Sequence, residues 1–105
     1  MARVLAVVPD LMLSSRVVES LAAAGHIVDV VPEVPASSDA DAIVADLDAV
    51  EPETLTAAER PSLGFYSHDD VDTRRAAEDA GVDVVVPRSR MVRELPELVA
   101  GLLGA

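Results

Sequence analysis

Five polar residues of this sequence stand at, or within two residues of, the ends of short apolar runs: Asp10, Asp46, Asp48, Ser67 and Arg88. Carboxylate oxygens are ligands that Mg²⁺ prefers, whereas a hydroxyl and a guanidinium can hold a bound anion. If the apolar runs are parallel strands, their carboxyl ends meet at one edge of a sheet, where open α/β sheets bind ligands. The sequence therefore predicts a site at that edge, with Asp10 and Asp46 as metal ligands and Ser67 and Arg88 beside them.

Each of these residues also has a simpler structural interpretation. Asp10 is equally suited to cap the helix that follows it. Asp48 is interpreted as a turn residue, and Ser67 as a loop hydroxyl that bonds the backbone near Asp69. A metal site at His68, Asp69 and Asp70 is the weakest of these hypotheses, because the only other histidine is distant in sequence.

The elements that position these residues follow from β-branched runs that alternate with helical patterns. Strands are predicted over 4–8, 27–31, 42–45, 63–66 and 82–86, and helices over 14–24, 54–60, 71–80 and 90–103. Gly25 and Gly81 fall where two helices should end, and Pro96 should kink or restart the last helix. The stretch between strands two and three offers about ten residues, near the lower limit for a crossover, so the second helix should be short or missing. The pattern predicts a doubly wound α/β fold with a five-stranded parallel sheet.

Length and charge narrow the class of protein further. A chain of 105 residues accommodates one domain, spanning 1–105, and the absence of cysteine excludes disulfides and thiolate chemistry. Ten acidic residues and no arginine or lysine lie between Val17 and Glu59, and the net charge is −11. Such a surface repels phosphate backbones, so we expect no direct nucleic-acid partner. No apolar run is long enough for a membrane span, and the N-terminus shows no signal-peptide layout, so we predict a cytoplasmic protein.

The order of elements and the residues at the strand ends resemble the receiver domain of two-component response regulators. The resemblance implies a flavodoxin-like, three-layer fold with strand order 2-1-3-4-5. It also implies phosphorylation of Asp46, a Mg²⁺ ion held by Asp10 and Asp46, and a phosphoryl group contacted by Ser67 and Arg88. A histidine kinase or a downstream regulator would then be the protein partner.

Two departures from the family's pattern indicate a degenerate receiver. The family has two adjacent acids after strand one, whereas Pro9 here precedes the single acid Asp10. Near the end of strand five the family has a lysine followed by proline, whereas this chain has Pro87 followed by Arg88. An arginine fork differs from a lysine in reach and geometry, and a missing carboxylate weakens magnesium binding.

The function predicted from these residues is a signalling domain that works through protein contacts and is no independent enzyme. No glycine-rich phosphate loop follows strand one, and no G-x-S-x-G motif is present. A small-molecule or nucleotide sensor that uses the same strand ends is the alternative. A hydrolase or isomerase with Asp10 and Asp46 as acid and base is a third hypothesis. The apolar last helix offers a candidate homodimer face formed by Leu98, Val99, Leu102 and Leu103.

Overall fold

A computed structural model describes residues 1–67 and 71–104. Its elements in chain order are β1 (Arg3–Val7), α1 (Leu11–Ala23), β2 (Ile27–Val30), β3 (Ala42–Asp46), α2 (Pro52–Ala57), β4 (Ser62–Tyr66), α3 (Val71–Ala80), β5 (Val84–Pro87) and α4 (Arg88–Leu102). The five strands form one parallel sheet in the order β2-β1-β3-β4-β5, which confirms the predicted doubly wound topology. The segment from 31 to 41 contains no helix, so the predicted second helix is missing.

The sheet is buried on both faces, as continuous apolar strands require. On one face α1 and α4 pack over alternate residues of β1, including Val4 and Ala6. On the other face α2 and α3 pack over Leu5 and Val7. Because all five strands are parallel, their carboxyl ends meet at one edge of the sheet, and Asp10, Asp46, Ser67 and Arg88 each lie at or just beyond such an end. Within the described residues, no helix has the length and apolar character that crossing a bilayer would demand.

Two helices end in the hydrogen-bond pattern that glycine permits. Gly25 and Gly81 have φ of 94° and 96°, and each follows the last turn of its helix. After α3, the Gly81 N–H donates to the Glu78 carbonyl (3.1 Å) and the Val82 N–H donates to the Ala77 carbonyl (3.1 Å). Because the Val82 N–H is used in this way, β5 begins at Val84, and the predicted start of strand five at Val82 is wrong by two residues.

The same position after α2 is occupied by Glu59, whose φ is 54°. Its N–H donates to the Thr56 carbonyl at 3.0 Å, as a helix end of this kind requires. A residue with a side chain pays a steric cost in this left-handed conformation that glycine does not. Helix α4 contains a break at Glu94 (φ −124°, ψ 15°), two residues before Pro96, which confirms the predicted restart.

Strand β2 forms one open edge of the sheet. It is four residues long, and its Ile27 and Val30 side chains are about half exposed because no helix follows it. Asp29, in the middle of the strand, lies 3.7 Å from the Arg3 guanidinium of the neighbouring strand. On the face of the sheet opposite α1, the segment from 31 to 41 therefore lies beside β2 in place of a helix.

Candidate functional site

The turn after β3 is fixed by Asp46, the last residue of that strand. Its Oδ1 accepts a hydrogen bond from the Asp48 N–H at 2.9 Å. Its backbone carbonyl accepts from the N–H groups of Ala49 (3.0 Å) and Val50 (2.9 Å). Asp46 thus uses one carboxylate oxygen and its carbonyl to shape the turn that contains Asp48.

Asp48 bridges this turn to the end of β4. Its Oδ2 accepts from the Ser67 N–H at 3.2 Å and from the Ser67 Oγ–H at 2.5 Å. The pairing of Asp46 with Phe65 in the parallel ladder explains this meeting, because Asp48 and Ser67 each lie two residues beyond that pair. The Ser67 hydroxyl therefore donates to Asp48, and its predicted bond to the backbone near Asp69 lies outside the described residues. His68, Asp69 and Asp70 lie outside the described residues.

A close approach of side chain to backbone holds this turn against the sheet. Leu47, between the two aspartates, is buried and packs over Gly64 of β4. A Cβ atom on Gly64 would lie 2.7 Å from Leu47 Cδ1, so only glycine fits beneath this leucine. The Leu47 N–H also donates to the Phe65 carbonyl at 2.8 Å. Leu47 thus anchors the turn to β4 through both its side chain and its backbone N–H.

Asp10 caps α1, as its structural interpretation predicted. Its Oδ1 accepts from the Leu13 N–H at 2.9 Å. Asp10 also lines a cleft of about 370 Å³ between α1 and α4, together with Met12, Leu13, Arg16, Arg88 and Val92. Asp10 and Arg88 therefore line the same cleft, and Asp46 is not among the residues that line it.

The pKa of Asp46 depends on its partial burial and on the charged groups around it. Partial burial raises the pKa of Asp46 above its ordinary value of 3.8, and the carboxylates of Asp48 and Asp10 act in the same direction. The hydrogen bond from the Asp48 N–H and the positive charge of Arg88 oppose this increase in pKa. Asp10, Asp48 and Arg88 thus all lie near enough to act on Asp46, as expected for strand ends that meet at one edge.

The arginines near the start of α4 divide into two kinds. Arg90 and Arg93 both pair with Glu94, at 3.5 Å and 3.1 Å. Within residues 1–67 and 71–104, Arg88 has no carboxylate within 4.0 Å. Among these residues, Arg88 can therefore interact with Asp46 or with a molecule bound in the cleft.

Asp10 and Asp46 are the two side chains that are predicted to hold a magnesium ion. Asp10 and Asp46 each have one oxygen already committed to a backbone N–H. In the part of the chain that the structure describes, no group of three or more His, Cys, Asp or Glu side chains is placed to hold a metal ion. The assignment of Asp10 and Asp46 as magnesium ligands stays a prediction from the sequence.

Known proteins resemble this chain in fold, although none matches it in the sequence comparisons. No protein-family model matches the chain, and no curated protein matches it in sequence. Solved structures do match it. A receiver domain protein from Methanospirillum hungatei superposes with a TM-score of 0.85 at 14% identity, covering 99% of this chain and 94% of that one. The receiver domain of the Francisella response regulator 1452 gives 0.82 at 15%, covering 99% and 98%. The chain has the receiver fold.

Two further solved structures match the chain over nearly its whole length. A response regulator from Chloroflexus aurantiacus gives a TM-score of 0.79 at 19% identity, with 99% and 98% of the two chains covered. An orphan response regulator of Helicobacter pylori gives 0.77 at 14%, with 97% and 96% covered. The predicted three-layer fold and its strand order are thereby confirmed.

Proposed function

We propose that this chain is a signalling domain that acts through contacts with other proteins and does not depend on phosphorylation of Asp46. The observation that supports this most is the hydrogen bonding at the strand ends, within a receiver fold that covers nearly the whole chain. Asp46 has one oxygen in the turn, and the Ser67 hydroxyl donates to Asp48. One oxygen of the predicted acceptor and the hydroxyl of Ser67 are thus already hydrogen-bonded within the chain.

The charges around Asp46 support the same proposal. Phosphoryl transfer places further negative charge beside the acceptor, so the site must neutralise it with cations. Asp10 and Asp48 already place negative charge near Asp46, and Arg88 is the cation that opposes them there. Transfer of a phosphoryl group to Asp46 is therefore disfavoured.

The test is intact-mass measurement after incubation with acetyl phosphate and magnesium chloride. We expect no phosphoryl adduct on the native chain, while a phosphorylatable receiver domain treated in parallel gains one. An adduct on the native chain that disappears in Asp46→Asn would show that phosphotransfer survives and would overturn the proposal.

A small-molecule sensor is the second candidate, and the cleft between α1 and α4 favours it. Its volume of about 370 Å³ lies within the range of small-ligand sites. Arg16 and Arg88 both line it, and neither has a carboxylate within 4.0 Å among the described residues. Binding raises the melting temperature by mass action, so a thermal-shift series with nucleotides tests this candidate. A stabilisation lost in Arg88→Gln and kept in Arg75→Gln would support it.

The homodimer predicted from the last helix gains no support from the packing of α4. Val99 is fully buried, and Leu98, Leu102 and Leu103 pack against the core beneath α1 and α4. This apolar stripe is used mainly inside the molecule. Self-association through it stays a prediction, and sedimentation of the native chain over a range of concentrations measures it directly.

A further inference from the structure

The strand-end turn contains an anion contact that is complete within the chain. Two donors of one residue, the Ser67 N–H and the Ser67 O–H, converge on the same oxygen of Asp48. Hydrogen bonds to an ionised acceptor are shorter and stronger than neutral ones, and the 2.5 Å distance from Ser67 Oγ to Asp48 Oδ2 is of that kind. Converging N–H and O–H donors are the usual protein arrangement for an oxyanion.

The position of Asp48 depends on Asp46. The bond from the Asp48 N–H to Asp46 Oδ1 closes the turn, and the two bonds to the Asp46 carbonyl hold the next two residues. Leu47, locked over Gly64, fixes the backbone between the two aspartates. The direction of the Asp48 side chain is therefore set by the backbone of this turn. Asp46 holds that backbone through its side chain and its carbonyl, and Leu47 anchors it against β4.

We infer that Ser67 forms an oxyanion site that the chain's own Asp48 carboxylate occupies, with Asp46 as the positioning residue that holds Asp48 there. The inference rests on the proposed function and gives its physical reason, because an internal carboxylate on Ser67 excludes an external oxyanion. The chain thereby keeps one arrangement of the β3 and β4 ends, with no need for a covalent modification.

The experiment follows the Ser67 amide in the ¹⁵N-labelled full chain by NMR and by hydrogen exchange. In Asp48→Ala we expect the Ser67 amide to exchange roughly tenfold faster, since a charge-assisted hydrogen bond contributes about that factor. Asp83→Ala is the matched control. Asp83 Oδ2 accepts from the Ser62 N–H at 2.9 Å, at the opposite end of β4, so this variant should release Ser62 and leave Ser67 protected.

Inorganic phosphate then probes the emptied site. In Asp48→Ala, added phosphate should return the Ser67 amide resonance toward its native position, and the native chain should not respond. The response should weaken in Asp48→Ala/Ser67→Ala, because one of the two donors is lost. A Ser67 amide unchanged by Asp48→Ala would overturn the contact. A Ser67 amide that is released but ignores phosphate would overturn the oxyanion site.

Two variants of Asp46 test its positioning role. Asp46→Asn keeps an Oδ1 acceptor for the Asp48 N–H and should leave Ser67 protected, whereas Asp46→Ala removes it and should release Ser67. Equal protection of Ser67 in both variants would refute the positioning role. A phosphoryl adduct on native Asp46 would refute the proposed function alone, since the Ser67 measurements use no phosphoryl donor.

Discussion

Substituting Gly64 by alanine should disturb both the stability of the protein and its strand-end turn. The added Cβ would lie 2.7 Å from Leu47 Cδ1, 2.8 Å from Cγ and 2.9 Å from Cδ2. Carbon atoms in favourable contact are about 3.5–4.0 Å apart, so Leu47 must move by roughly 1 Å. Leu47 is buried, with 8% of its surface exposed, so it has little room to move away from the added methyl group.

The magnitude follows from the cost of overpacking a dense interior. Forcing one methyl group into such a contact costs about 1–3 kcal/mol of unfolding free energy. For a chain of this size, 2 kcal/mol corresponds to a decrease in melting temperature of roughly 10 °C. Because Leu47 stands between Asp46 and Asp48, its displacement should also speed hydrogen exchange at the Ser67 amide.

Calorimetry and urea unfolding measure the effect, with Gly101→Ala as the matched control. Gly101 lies in α4, and a Cβ there meets no atom within 4 Å, so this change should stabilise the protein by about 0.5–1 kcal/mol. Combining Gly64→Ala with Leu47→Ala should cost less than the sum of the two single changes, because the colliding branch is gone. Strict additivity, or an unchanged melting temperature in Gly64→Ala, would refute the steric argument.

Three further predictions concern single side chains. Asp46→Asn should raise the melting temperature at neutral pH, and the gain should shrink as the pH falls toward 4. The raised pKa means that ionised Asp46 disfavours the folded state, a cost that disappears once both states bind the proton. A gain that grows on acidification would contradict this. Asp10→Ala should lower the unfolding free energy by about 1 kcal/mol through the lost cap of α1, whereas Asp10→Ser should restore most of it. Glu59→Gly should raise it by about 1 kcal/mol, because φ is 54° at this helix end, and Glu59→Ala, measured beside it, should not.

The parallel sheet could be predicted because burial on both faces leaves a plain signal in the sequence, whereas the strand order was implied by the resemblance to receiver domains. Continuous runs such as the one from Val4 to Val8 are apolar at every position, which is typical of central parallel strands. The element boundaries were less accurate. The prediction began the first helix at Ser14, whereas α1 begins at Leu11. The first turn was missed because Leu11 and Met12, which are 82% and 83% exposed, do not continue the apolar stripe that marks the helix in the sequence.

The candidate site shows a similar division. The sequence placed Asp10, Asp46 and Arg88 at one edge of the sheet, and the field that each of the other two exerts on Asp46 agrees with this. The bond between Asp48 and Ser67 was missed, although spacing held a clue. Once β3 and β4 pair with Asp46 opposite Phe65, both residues lie two positions beyond that pair. Side-chain direction in a turn depends on local hydrogen bonds, and apolar periodicity contains no information about them.

The short β2 strand limits how far the sheet can be extended. A strand from a second molecule would find only four residues of backbone to join, and it would cover the charge of Asp29 and its pair with Arg3. Exposed edges invite such addition, and a charge in the middle of a short strand opposes it. The protein can therefore leave this edge exposed to water, because the short strand and the charge of Asp29 oppose edge-to-edge pairing with another molecule.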